Sequence, residues 1–150
     1  MVFERFSPDS RQVVVLAADY AAHLEAAELL TEHLLFAVLD QGGEIAAALA
    51  AVGATSTAVW GQFGREAVDI DAHHRSAPGR PAGGVGQIAF SPGARRAVDE
   101  AVGESDRLGD KHVEPKHVLL GLLDVTDGRA VQLLTEAGAD LDRLRTTLAQ

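Results

Sequence analysis

Apolar residues along this chain recur at helical spacing: Val14, Ala17, Ala21 and Leu24 stand at i, i+3, i+7 and i+10, and Val98, Ala101, Ser105 and Leu108 repeat the stripe. Strand-type alternation is absent, so the pattern predicts amphipathic helices. Ser7-Pro8 and Ser91-Pro92 each read as an N-cap followed by proline at the first helical position, where its missing N–H is harmless. A second helix opens at Thr31 and again at Glu114-Pro115, burying Leu34, Leu35, Val38 and Leu39 in one case and Val118, Leu119, Leu122 and Leu123 in the other. Third helices end near Gly53 and Gly138, a residue type that tolerates the left-handed C-cap, and fourth helices run through 59–63 and 141–148.

The pattern is duplicated. FSPDSRQVV from Phe6 recurs as FSPGARRAV from Phe90, and EHLLFAVLD from Glu32 as KHVLLGLLD from Lys116, both 84 residues on. After Asp40 and Asp124 the copies drift by one residue, which implies an insertion around VTDGR in the second. The expected fold is all-α, with eight helices in two four-helix repeats over 1–66 and 87–150. Between them, 67–86 is expected to be a flexible linker, because the stretch from Asp69 holds two prolines, four glycines and almost no apolar periodicity. Each repeat is short and alanine-rich, with little core of its own. The two are therefore expected to pack on each other about a pseudo-twofold axis as one domain.

Composition narrows the chemistry. The 150 residues include no cysteine, which excludes disulfides, thiolate catalysis and sulfur-ligated metal sites. A net charge of −9 argues against nucleic acid, whose phosphates are bound by clustered Lys and Arg. The start MVFERFSPDS lacks the features of a signal peptide and no apolar run approaches a membrane span, so a cytoplasmic protein is expected. Residues 1–64 carry a charge of −6, 65–86 are neutral and 87–150 carry −3, so the first repeat is the more attractive to a cation.

No phosphate-binding G-x-x-x-x-G-K-[ST] occurs, and the serines read as caps, turns or helix surface rather than nucleophiles. Asp99-Glu100, on the helix that opens with Arg95-Arg96, reads as i, i+4 charge pairing. His33 and His117 occupy equivalent places and read as hydrogen-bonded helix-start residues rather than ligands, while His73-His74 lie in the linker, where nothing fixes a coordination geometry. No catalytic residue, metal or cofactor is expected. Thr31-Glu32 is the point of chemical interest: a helix N-terminus suits an anion and the Glu32 carboxylate suits a guanidinium or ammonium, so the spot can receive a zwitterionic group. The plainer alternative is that Thr31 caps its own helix and Glu32 complements the dipole.

These residues resemble a known family. FERFSPDSRQVVVLA followed by TEHLL, duplicated as FSPGARRAVDEA and KHVLLGLL, is similar to the N-terminal domain of ClpC-type Clp unfoldases, and the resemblance covers essentially the whole chain. It implies an all-α double repeat that recruits substrates and adaptor proteins to an ATP-dependent unfoldase, here as a free-standing domain. It also implies sites for phosphoarginine, a degradation mark, around the family's Gly-Thr-Glu-His segments. Copy one keeps Thr31, Glu32 and His33 with Leu30 in place of Gly; copy two has Glu114-Pro115-Lys116 before His117, so a cation stands where the carboxylate belongs. Family members also bind cyclic-peptide antibiotics in a groove whose matching positions are Phe3, Arg11, Val14, Gln87, Phe90, Arg95 and Asp99, with Gln87 and Arg95 replacing a usual His and Lys. The implied function is a non-enzymatic binding module that assists or competes with a full-length unfoldase, partnered by substrates, adaptors, phosphoarginine-marked proteins or cyclic peptides. The alternatives are a small helical hydrolase using His73 or His74, and a structural cap on the unfoldase.

Overall fold

The computed structural model describes residues 2–64 and 89–149, so the linker, His73, His74 and Gln87 lie outside the described residues. A short 3-10 turn over Val2–Arg5 leads into α1 (Pro8–His23), α2 (Thr31–Gln41), α3 (Gly43–Ala51) and α4 (Ser56–Phe63). The second repeat supplies α5 (Pro92–Arg107), α6 (Pro115–Asp124), α7 (Arg129–Glu136) and α8 (Leu141–Leu148). The described residues are thus all-helical, and these eight α-helices follow the order the apolar pattern predicts.

The repeats match in their caps as well as in their stripes. Ser7 and Ser91 have nearly identical backbone angles, and each hydroxyl accepts a hydrogen bond at 3.1 Å, from the N–H of Ser10 and of Ala94. The starts of α2 and α6 have no side-chain cap from the residue before them. Instead Nδ1 of His33 accepts from the Leu30 N–H, and Nδ1 of His117 from the Glu114 N–H, both at 2.8 Å. Each ring does what a Glu or Gln does at this position of a capping box. Gly53 and Gly138 follow α3 and α7 with φ of +87° and +86°, where only glycine is unstrained.

The pseudo-twofold is visible in the backbone. Phe6 forms an isolated parallel bridge with Val113, and Phe90, its counterpart, forms one with Leu29, the counterpart of Val113. Ser7 N–H donates to the Val113 carbonyl at 3.0 Å, and Ser91 N–H to that of Leu29 at 2.9 Å. Each repeat thus reaches into the other beside the start of its second helix. The buried side chains form one cluster spanning both repeats, including Leu34, Leu35 and Phe36 of α2 and Leu119, Leu120 and Leu122 of α6. Helix α2 packs against α6 and α7, α3 against α8, and α4 against α7.

The cores are filled differently. Tyr20, Phe36, Trp60 and Phe63 make one aromatic group in the first repeat, with Phe36 and Trp60 stacked at 3.8 Å between centroids. In the second, Leu120 replaces Phe36 and buried Glu104 replaces Tyr20, held by Arg107, which also faces Glu100 at 3.8 Å and Asp124 at 3.6 Å. Arg96 reaches Asp127 at 3.6 Å, a longer-range pair than the i, i+4 partner its position suggests.

Candidate functional site

The starts of α2, α5 and α7 converge on an open cavity of about 460 Å³ lined by Thr31 and Glu32 of α2, Ser91, Pro92 and Gly93 at the head of α5, and Gly128 and Arg129 at the head of α7, with the acidic Glu28 and Asp127 also on its wall. The dipoles of three helices favour negative charge here, although the Ala94 and Ala130 N–H groups are already taken by the hydroxyls of Ser91 and Thr31 and Pro92 has none. Thr31 is buried inside the first turn, and its Oγ1 accepts a hydrogen bond from the Ala130 N–H at 3.2 Å. It therefore caps α7 rather than its own helix, whose N-cap position is Leu30. This corrects the plainer expectation, and the reason is at Gly128: a Cβ there would lie 3.1 Å from Thr31 Oγ1 and 3.1 Å from the Val125 carbonyl oxygen. Helix α7 has no side chain at its own cap position and borrows one from the other repeat.

Glu32 is 9% exposed, and burial raises the pKa of its carboxyl from the ordinary value, opposed by its own backbone N–H and the Arg129 guanidinium. Arg129 is exposed on the same cavity, its guanidinium 5.6 Å from the centre of the Phe63 ring. Sequence reasoning missed Arg129; the signal was only its place at the head of the third helix, beside the insertion.

The equivalent mouth on α6 is an open cavity of about 380 Å³ lined by Glu114, Pro115, Lys116, Asp9, Glu44 and the Gln41–Gly43 turn. Pro115 has no hydroxyl with which to cap α3, and Lys116 turns to Asp110 at 3.5 Å. Asp110 also accepts from Nε2 of His117 at 2.9 Å. Because Nδ1 of His117 is occupied by the Glu114 N–H, Nε2 must carry the proton, which fixes the neutral tautomer. Burial pulls the His117 pKa down and Asp110 pulls it back up; for His33, whose place opposite has Ala26 in the sequence, burial alone lowers it to about 4. Both rings are structural, as the sequence indicated. Among the described residues, no group of three or more His, Asp or Glu is placed to hold a metal ion.

A third depression, of about 300 Å³, is lined by Phe3, Phe90, Arg95, Val98 and Asp99. Phe3 packs on Phe90 at 5.9 Å and on Phe6 at 5.1 Å between centroids. The turn that carries Phe3 is pinned to the second repeat by Arg5, which donates to Asp106 at 2.8 Å, Ser105 at 2.9 Å and the Asp110 carbonyl at 3.1 Å. Four of the seven groove positions therefore come together here. Arg11 points instead to the Phe3 and Glu4 carbonyls at 3.4 and 3.5 Å, and Val14 is buried in the core.

Among the described residues no single helix is long and apolar enough to cross a membrane. Comparison with known proteins finds a similar N-terminal region in ClpC/MecB of Bacillus subtilis (strain 168), a negative regulator of genetic competence, 30% identical over the whole chain. The Clp protease ATP-binding subunit ClpA homolog of Cyanidium caldarium is 32% identical over 98% of it. The chain spans only 17% and 16% of these relatives' lengths. The N-terminal domain of ClpD from Arabidopsis thaliana shares the fold with a TM-score of 0.69 and 22% identity, covering 97% of this chain and 96% of that one. The Hsp104 N-terminal domain of Candida albicans gives 0.68 and 22%, covering 97% and 89%. The pattern of the Clp repeat (R) N-terminal domain matches residues 5–137 and again 89–150, the second match falling on the repeat whose caps and bridges mirror the first. The chain belongs to the Clp repeat (R) N-terminal domain family.

Proposed function

We propose that this chain is a non-enzymatic binding module of the Clp protease system in the cytoplasm, docking substrates or adaptors and assisting or competing with a full-length Clp unfoldase. The observation that carries this reading is the α2 mouth, where the carboxylate of Glu32, 9% exposed, opens onto a cavity ringed by three helix N-termini. A group with a cation beside an anion fits that arrangement, and phosphoarginine, with a phosphoryl on its guanidinium, is such a group. The α6 mouth has Lys116 in place of the carboxylate, so one site per chain is expected. Calorimetric titration of free phosphoarginine into wild type and Glu32→Ala tests this. Wild type is expected to bind one equivalent, and the variant to lose roughly 1.5–3 kcal/mol, the worth of a hydrogen bond to a charged group. Two equal sites, or a variant that binds normally, would show the recognition chemistry to be misplaced.

A second ligand surface is favoured by the Phe3–Phe90 contact, which floors an apolar depression with Arg95 and Asp99 among its lining residues. This suits a cyclic peptide with aromatic side chains. Phe3→Ala and Phe90→Ala are expected to weaken such a peptide by about 1–3 kcal/mol if the rings anchor it. A chain that binds these peptides without unfolding anything would sequester them from the unfoldase.

A further inference from the structure

We propose that Arg129 is the residue that receives the phosphoryl group at the α2 mouth, the cationic half of a bipolar clamp whose anionic half is Glu32. The inference rests on the reading of this mouth as a phosphoarginine site. Both side chains line one cavity, and among the described residues no ion pair joins them: the Glu32 carboxyl accepts from its own backbone N–H, Arg129 rests over the Phe63 ring, and the guanidinium is near enough to act on the carboxyl electrostatically. Opposite charges in a shared cavity attract, so something must hold them apart. On the Glu32 side, α2 is fixed at its first turn by the His33 ring on the Leu30 N–H. On the other side, Thr31 pins the head of α7 through the Ala130 N–H, and the guanidinium rests over the Phe63 ring. Each charge is tethered to packed structure behind it, and the gap between them is bordered by the first turns of α2, α5 and α7.

A ligand that carries a cation next to an anion closes this gap without displacing either residue. Its guanidinium meets Glu32, and its phosphoryl oxygens meet Arg129 and the helix N–H groups, two charge-assisted contacts of opposite sense. Arginine alone satisfies only the first, and inorganic phosphate only the second. The α6 mouth offers no such clamp: Lys116 stands at the place of Glu32 and is drawn off to Asp110, and Glu44 stands at the place of Arg129; further acidic residues line both mouths, Asp9 and Glu114 here and Glu28 and Asp127 at α2.

The test is calorimetric titration of phosphoarginine, arginine and inorganic phosphate into wild type, Arg129→Ala, Arg129→Lys and Glu32→Ala, with thermal melts to confirm that each variant is folded. Arg129→Ala is expected to weaken phosphoarginine and phosphate about tenfold or more while leaving arginine binding intact. Arg129→Lys is expected to recover part of the loss through its point charge. Glu32→Ala is expected to show the converse, losing arginine and phosphoarginine while retaining phosphate. If Arg129→Ala binds phosphoarginine as well as wild type while Glu32→Ala does not, the proposal fails and the site reading stands. Tighter binding by Arg129→Ala would identify Arg129 as a competitor for Glu32 and likewise overturn the proposal. Wild type that binds no phosphoarginine overturns both.

Discussion

At the α2 mouth a buried carboxylate, Glu32, shares a cavity with Arg129 at the head of the third helix; at the α6 mouth Lys116 replaces the carboxylate and Glu44 sits in the third helix's first turn. The signs are exchanged, yet the serine caps, the histidine caps and the crossed bridges of the two repeats agree to within 0.1 Å in their corresponding hydrogen bonds. The comparison teaches where a duplicated fold has freedom to diverge. Caps and bridges satisfy backbone groups that would otherwise be buried unpaired, so losing one destabilises the fold. A charge at a cavity mouth closes no backbone hydrogen bond of the scaffold and can change sign, provided a neighbour such as Asp110 compensates. The cores diverge within a similar constraint, since aromatic stacking in one repeat and a Glu104–Arg107 pair in the other both fill space beneath the same scaffold.

The largest difference between the repeats lies where their first two helices touch. Ala37 on α2 is fully buried, and Gly121 takes its place on α6. A Cβ at Gly121 would lie 2.2 Å from the Ala97 carbonyl oxygen and 2.8 Å from the Ala101 nitrogen, backbone atoms of α5 that cannot swing aside. Gly121→Ala is expected to force α5 and α6 apart, destabilising the chain by at least about 3 kcal/mol, the upper end of overpacking penalties. The melting temperature should fall by about 6–12 °C. The mirror variant Ala37→Gly should lose only about 1–2 kcal/mol, from helix propensity and one missing buried methyl. Equal losses in calorimetric melts would mean that the two helix pairs are equally close and that the contrast is not real.

Acid separates the two histidine caps. His33 has its pKa lowered by burial to about 4 from 6.5, so the folded chain resists protonation that the unfolded chain accepts. Its contribution to stability is complete above pH 6.5 and drains away as pH falls toward 4, up to roughly 3 kcal/mol in all. His117 is also lowered by burial, but Asp110 accepts from its Nε2 and favours the charged ring, so its share of the acid loss is smaller. Glu32 works in the opposite sense: its raised pKa means that the carboxyl gains stability for the fold as it protonates. His33→Gln keeps an acceptor for the Leu30 N–H and removes the titration. Urea unfolding between pH 7 and pH 4 should show wild type losing stability steeply and this variant much less. An unchanged slope would assign the acid sensitivity to some other group.

Most of the scaffold was legible in the sequence because it is written in local rules. Ser-Pro pairs announce caps, the 3.6-residue stripe announces helices, and the 84-residue echo announces two halves. The role of His33 and His117 followed from their equivalence. The mouth was only half legible: Glu32 could be found because it opens a helix, whereas Arg129 and Gly128 are brought to it from almost a hundred residues away by the packing of α7 on α2. Thr31 misled for a related reason, since its hydroxyl has two helices to choose from and nothing local says that the distant one wins. The closeness of α5 and α6 was equally hidden, because a glycine inside an apolar run does not declare which backbone it is making room for.

The smallest contrast is also the easiest to engineer. Where α1 gives way to the loop, Glu25 has φ of +58°, and Gly109 holds the corresponding place after α5 with φ of +73°. The left-handed region brings the Cβ of an L-residue against the following carbonyl, at roughly 1–2 kcal/mol, and glycine has no Cβ to clash. The conformation is imposed on both loops by the same closure: Ala26 N–H returns to the Ala21 carbonyl at 2.9 Å, and Asp110 N–H to that of Ser105 at 2.9 Å. Glu25→Gly should therefore relieve strain in the folded chain, offset in part by the greater freedom glycine adds to the unfolded one. A net gain of about 0.5–1 kcal/mol is expected, a rise of roughly 1–4 °C in a chain of this length. Gly109→Glu should lose a similar amount, because it places in the second repeat the strain that the first already carries. If the first substitution lowers the melting temperature, the Glu25 side chain contributes more through its own contacts than its backbone loses through strain, and the repeats differ at this turn in kind rather than in degree.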